Sequence, residues 1–416
     1  MAHNAASVTV LGAGIQGACT ALELARRGIN VVLIDQDEAP MNRASLRNEG
    51  KIHLGFVYAK DRTLATARLQ LQGALQFRSL MARWIGPAAE ALNLSTPFNY
   101  LVAGDSLLDS DELWQHYMHI DSIAAEILQQ RPDLDYLGTR PACLSRPLTN
   151  SELGLFVRAE KFMGGFATAE LAIDTDQLAL HLRNAIAQTE NLKFLPSRKV
   201  KSVERKNGIF QIDGIGSEGC WKTESEQVVN ATWEGRLAID QTMGIQHADG
   251  WVHRLKYRVI ARLPEALRSA PSVTMVLGPY GDVVIRPNGT AYLSWYPVGL
   301  RGWTHDIKPP AAWDAPCRGE VDINEALEIS TAVLAAIDDW FPGIAQSEPL
   351  LVDAGAIVAY GKTDVDDAGS GLHDRTRVGV TSIDGYHTVD PGKLTTGPMF
   401  AMATAERVAA DCTINR

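Results

Sequence analysis

The alternation of apolar and polar positions along this chain changes period several times, and each change marks an element. Val8, Val10 and Leu11 make a short apolar run, and Ala18, Ala21, Leu22 and Ala25 then recur at helical spacing as far as about residue 27. Gly28 stands where a glycine commonly stops a helix, and residues 31–34 form a second apolar run with Asp35 at its tip. Helical spacing returns over residues 61–84, 110–130, 174–188 and 322–341. Residues 96–102, 193–195, 200–205 and 209–212 read as strands, as does the run leading into Asn230-Ala231-Thr232. From residue 251 to 295 the pattern alternates with the period of two of an antiparallel sheet. Residues 352–360 predict one more strand, and the chain closes on a strand, a glycine-rich polar loop at residues 384–398 and a helix.

The opening strand–helix–strand carries chemistry. Gly12, Gly14 and Gly17 stand in GxGxxG spacing between the first strand and the helix. Gly12 allows the tight turn, Gly14 lets a pyrophosphate approach the backbone, and Gly17 lets helix and strand pack closely. The helix N-terminus offers free N–H groups and the positive end of its dipole to phosphates. Asp35, about 20 residues on, is placed to accept ribose hydroxyls and disfavours the extra phosphate of NADP. The unit alone does not separate NAD from FAD. With 416 residues, the chain exceeds the size of one core. A cofactor unit at one end, a strand–loop–helix at the other and a sheet-rich middle predict a cofactor domain built from separated pieces, with a second domain inserted.

Composition narrows the class. Apolar residues make up 46% and charged residues 21%, as in ordinary globular proteins. A net charge of −10 repels phosphate backbones, so no nucleic-acid partner is expected. Five scattered cysteines without a CxxC argue against a disulfide framework or a zinc site. No apolar run approaches the roughly 20 residues of an integral membrane segment. No signal peptide is read at the start, so a cytoplasmic protein is expected. No metal site is expected either: His116 and His119 read as a surface pair, and Asp364-x-Asp366 lacks the glutamate of a calcium loop.

Four stretches in order, Gly12-x-Gly14-x-x-Gly17 with Asp35, RNEGKIHLGFVY from Arg47, the VVNAT strand, and DGYHTVDPGKLTTGP before the last helix, make the chain resemble the FAD-dependent oxidoreductases of the D-amino-acid oxidase type. That group includes L-2-hydroxyglutarate oxidases, glycerol-3-phosphate dehydrogenases, and the sarcosine and dimethylglycine enzymes. The resemblance spans most of the chain. It implies an α/β fold: a Rossmann-like FAD-binding domain from residues 1–92, 161–235 and 349–416, with an inserted antiparallel-sheet substrate domain from 93–160 and 236–348. It implies FAD held at Gly12, Gly14, Ile15, Gln16, Gly17, Asp35, Gln36, Arg47, Asn48, Glu49, Gly50, Val200, Ala231, Thr232, Gly385, Gly392, Lys393, Leu394 and Thr395. The last helix would point its N-terminus at the flavin pyrimidine edge. Members usually carry a glycine after the VVNAT-like strand, where this chain has Trp233.

The stretch from Asn48 to Gly55 is then expected along the flavin ring. His53 is a candidate to orient substrate, act as a base or tether FAD covalently, and Lys51 to hold an anion or a water. Arg286 is the candidate carboxylate anchor, since a guanidinium grips a carboxylate with two bonds. Tyr296 is a candidate phenol over the ring, and Tyr360, Lys362, His373 and Arg375 are candidates to close the site. The expected reaction removes a hydride from a CH–OH or CH–NH carbon of a small anionic substrate, a 2-hydroxy acid first and an amino acid or secondary amine second. Electrons would pass to O2, a quinone or a carrier protein. A tailoring reaction on a larger intermediate, an NAD-dependent dehydrogenase and a non-catalytic dinucleotide-binding protein are the alternatives.

Overall fold

The computed structural model describes residues 6–414 and contains two sheets. The first is built around the opening strand, Ala6–Leu11, which pairs in parallel with Val31–Ile34 on one side and with Gly219–Asn230 on the other. Parallel pairing continues outward to Leu192–Leu195 and to Tyr386–Asp390. Such a sheet needs cover on both faces. Val8, Val10, Leu33, Val228 and Val229 are accordingly buried, and the helices Ile15–Arg26 and Gly397–Ile414 pack against each other beside it.

Strands Arg198–Lys206 and Ile209–Gly216 form an antiparallel meander with the first half of Gly219–Asn230. The second half of that long strand runs on into the parallel sheet. Its end, Ala231-Thr232, therefore emerges beside Leu11-Gly12, with the Ala231 N–H donating to the Leu11 carbonyl at 2.9 Å. Ligands of open α/β sheets bind outside the carboxyl ends of such strands.

The second sheet has nine strands, of which Trp251–Arg262 pairs along its whole length with Glu348–Tyr360. Gly281–Ile285, Thr290–Trp295 and Leu300–Thr304 continue it antiparallel, as expected from the alternating pattern. One pair departs from that expectation: Ser272–Val276 runs parallel to Phe98–Ala103, because the two strands come from distant segments rather than a hairpin. Helix Ile323–Asp338 packs Ile329, Val333 and Ile337 into the core on this sheet.

Local chemistry sets several boundaries. Asp174 and Asp322 cap their helices by accepting first-turn N–H groups. The helix expected from residue 61 begins only at Ala65, because the Asp61 carboxylate holds the preceding turn by accepting from the N–H groups of Thr63 and Thr66. The closing segment contains a strand, Tyr386–Asp390, where a loop is expected. Every residue of that strand is buried, but His387, Thr388 and Asp390 hide it from an apolar pattern. No helix among the described residues is long and apolar enough to cross a membrane.

Candidate active site

One cavity of about 620 Å3 runs along the carboxyl ends of the parallel strands and under the second sheet. At one end it is lined by Gly12, Gly14, Ile15, Gln16, Asp35 and Gln36, with Val200, Ala231 and Thr232 beside them. Here the sequence leaves no room for side chains. A Cβ on Gly12 would lie 2.6 Å from the Ala231 carbonyl oxygen, and one on Gly17 only 1.8 Å from that of Gly12. The helix that starts at Ile15 has no side-chain cap at Gly14 and no acid in its first turn. Its N-terminal dipole is thus left for an outside anion. The Asp35 carboxylate accepts the N–H groups of Ala13 at 2.5 Å and Asp37 at 2.9 Å. Burial pushes it up to about 6 against those two bonds. This end fits the pyrophosphate and ribose of a dinucleotide.

The other end gathers charged and phenolic groups from both sheets. Lys51, Lys256, Lys393, Arg254 and Arg375 line it, with Glu49 and Asp282 as the acids and Tyr58, Tyr292 and Tyr296 as phenols. Three of the cations already meet an acid, Lys256 approaching Asp282 at 3.8 Å. Lys51 donates to Asp282 at 2.7 Å and Thr274 at 2.5 Å, and Arg254 to Asp364 at 2.9 Å. Lys256 stands over the Tyr296 ring, 4.6 Å from its centre. Burial pulls Lys393 down to about 8, although Glu49 acts the other way. Burial pushes Glu49 up, but His53 and the three lysines outweigh it and leave its carboxyl well below the usual range.

Arg375 differs from Lys51, Lys256 and Arg254. It is buried, and among the described residues its guanidinium has no hydrogen bond or ion pair. Both ring nitrogens of His53 and the Tyr58 hydroxyl are likewise buried without a hydrogen-bond partner. Buried polar groups are normally satisfied, so three such groups on one wall point to a ligand. A single cavity joining a dinucleotide cradle to this cluster fits FAD lying along it, with its reacting end among them.

Most of the residues expected at the site meet on this wall. Arg47, Asn48, Glu49, Lys51 and His53 line it, as do Gly392, Lys393, Leu394 and Tyr296. Others do not. Arg286 lies off the cavity, 3.5 Å from Asp176, because its strand ends at Ile285 and the chain turns away. Gly385 sits with Asp384 in the tight turn of the hairpin Gly379–Asp390, both at positive φ, against Phe210. Gly50 and Gly17 support the wall from behind by close backbone approach, Gly50 against Ile173. Thr395 is fully buried and acts as a brace: its hydroxyl accepts the His53 N–H at 2.9 Å and donates to the Lys51 carbonyl at 3.3 Å. The last helix begins only at Gly397, packed on Ile15, so the loop of Pro391 to Leu394 faces the cavity rather than the helix itself.

Trp233 adopts φ 53°, the left-handed conformation a glycine would take there, and its indole N–H donates to the Ala356 carbonyl at 2.8 Å. That bond ties the first sheet to the second across the cavity rim. His116 is buried rather than on the surface, with Nε2 3.2 Å from the Gly55 carbonyl.

Lys256, Asp282, Arg254 and Glu170 join the site without standing among the sequence candidates. A signal existed for three of them. Charged residues inside strands that are otherwise buried, such as WVHRLKYRVIAR and GDVVI, are rarely there without a partner. Glu170 carried no such mark.

The family model described as FAD dependent oxidoreductase matches residues 7–407. No curated protein sequence matches the chain. Among solved structures, glycine oxidase from Geobacillus kaustophilus superposes with a TM-score of 0.69 at 16% identity, over 96% of this chain and 94% of its own. Iminodiacetate oxidase from Chelativorans sp. BNC1 gives 0.65 at 18% identity, over 97% and 95%. L-alpha-glycerophosphate oxidase from Mycoplasma pneumoniae, with FAD bound, gives 0.63 at 14% identity, over 97% and 94%. At such identities the likeness is one of fold.

Proposed function

Because the chain belongs to the FAD dependent oxidoreductase family, we propose that its substrate is a small anion whose reacting carbon bears a hydroxyl, a 2-hydroxy acid above all. The observation that carries this reading is Arg375. A guanidinium buried against the cavity without a counter-charge is costly unless the ligand supplies one, and a carboxylate matches its fork. The charge balance favours a net anion over a zwitterion, since Lys51, Lys256, Lys393, Arg254 and Arg375 outnumber Glu49, Asp282 and the Asp364 carboxylate that holds Arg254.

FAD, when bound, supplies the hydride acceptor. The chain's own groups do the rest. Arg375 grips the carboxylate, and Lys393 adds charge beside it. Tyr58 and Tyr296, which line the same cavity as Arg375, offer hydroxyls to the substrate. His53, whose Nε2 has no hydrogen-bond partner among the described residues, is the group to accept the hydroxyl proton as the hydride leaves. Lys51 does not anchor substrate in this reading, because Asp282 and Thr274 already hold it.

A second reading, oxidation of an amine or amino acid, draws support from the likeness to glycine oxidase and iminodiacetate oxidase. Glu49 would then receive the ammonium. The test is the visible spectrum of the purified protein under anaerobic titration. Flavin bands bleached by 2-hydroxy acids but not by amino acids support the first reading. Bleaching by amino acids alone replaces it with the second. Repeating the experiment with O2, then with a quinone, identifies the electron acceptor.

A further inference from the structure

We infer that Glu170, a carboxylate behind the cavity wall, is the positioning residue of His53: it holds Nδ1 of the imidazole and so determines that Nε2 is the nitrogen presented to substrate. The inference rests on the reading of His53 as a group at the reacting end and deepens it.

Glu170 is fully buried just past the strand Phe162–Thr168. It is fastened on several sides. Oε2 accepts the Leu54 N–H at 2.6 Å, Oε1 accepts the Tyr100 hydroxyl, and the backbone carbonyl accepts the Phe98 N–H at 3.0 Å. Burial pushes the carboxyl up, but His53, Lys51 and Tyr100 outweigh it and bring it below its ordinary value. A carboxylate held in this way is an anchor and does not swing.

His53 lies between two acids. Nδ1 is 3.5 Å from Glu170 Oε1 and Nε2 3.7 Å from Glu49 Oε1, within ion-pair reach although neither contact has hydrogen-bond geometry. The His53 backbone N–H is held by Thr395, and its ring packs edge-on against Tyr58 at 6.0 Å between centres. The two acids differ in access. Glu49 lines the cavity, where a ligand competes with it, whereas Glu170 lies outside the lining. Nε2 can therefore exchange Glu49 for substrate, while Nδ1 keeps its proton for Glu170. Such a carboxylate fixes the tautomer and orientation of an imidazole without touching substrate.

The test uses holoenzyme labelled with 15N-histidine, in which 1H–15N correlations through the ring distinguish a protonated from a bare Nδ1. The His53 signals are those lost in His53→Gln. In the unsubstituted enzyme Nδ1 is expected to carry a proton, and Glu49→Gln should leave it there. In Glu170→Met that proton should be lost and the form protonated only at Nε2 should appear. The rate of flavin reduction should then fall roughly tenfold or more. A bare Nδ1 in the unsubstituted enzyme, or an Nδ1 proton that persists in Glu170→Met, overturns the inference. If Glu170→Met does not fold, the unsubstituted and Glu49→Gln spectra still decide it, because a bare Nδ1 in either overturns it. Failure of every 2-hydroxy acid to bleach the flavin would remove the substrate reading and leave the tautomer result standing.

Discussion

At the residue scale, the cavity wall separates groups that are already satisfied from groups that wait for a partner. Lys51 belongs to the first kind and Arg375 to the second. Arg375→Leu should leave the FAD bands intact and raise KM for the anionic substrate roughly ten- to hundredfold, the worth of a charge-assisted hydrogen bond of about 1.5–3 kcal/mol. Lys51→Met should act differently. It leaves Asp282 with only the more distant Lys256 as counter-charge, so the damage should appear in melting temperature before KM. Lys393 predicts a pH dependence. With its value near 8 in the free cavity, the amine is charged below that pH and neutral above it. Measured kcat/KM for an anionic substrate should therefore decline as pH rises through about 8, and Lys393→Met should flatten that limb.

Among the elements, the opening turn shows how much depends on a single missing Cβ. At Gly17 the added carbon meets backbone, 1.8 Å from the Gly12 carbonyl oxygen, and cannot be relieved by a rotamer. At Gly14 it meets the Ser45 hydroxyl at 2.9 Å, a group that can rotate away at the expense of its bond to the Ile15 N–H. Gly17→Ala should thus lower stability by about 1–3 kcal/mol and yield protein with little flavin. Gly14→Ala should melt near the parent temperature and bind FAD more weakly. Thermal melts and flavin content together separate the two. The opening unit was legible because strand, turn, helix and terminal Asp35 are consecutive in the chain, and local geometry needs nothing more. The strand Tyr386–Asp390 was not, because its polar residues are satisfied by distant groups: Thr388 by Asp240, His387 by Gln227.

For the whole molecule, the dinucleotide end of the cavity is closed by a segment from the other sheet's half of the chain. Asp314, with Lys308 to Trp313 beside it, lines the cavity there. Its carboxylate meets Arg43 at 3.0 Å and Lys199 at 2.9 Å, and Arg43 also meets Asp37 and Glu234. Asp314→Ala should speed FAD release a few-fold, about 1 kcal/mol for partly exposed pairs. The difference from the parent should shrink at high salt, as surface charges are screened; stopped-flow flavin fluorescence reads both. By itself the sequence determined the dinucleotide unit, the alternating strands and the helices with their caps, because each depends on neighbours within a turn or a hairpin, and four ordered stretches carried the flavoenzyme resemblance. That resemblance also brought His53 and Lys51 forward. Only the tertiary structure decided that Lys51 is spent on Asp282, that Arg286 turns away, that the Arg375 guanidinium is left without an ion pair among the described residues, and that Glu170 stands behind His53. Those assignments depend on which charges lie within a few ångströms of one another, and residues 51 and 282, or 53 and 170, meet only when two sheets close over one cavity.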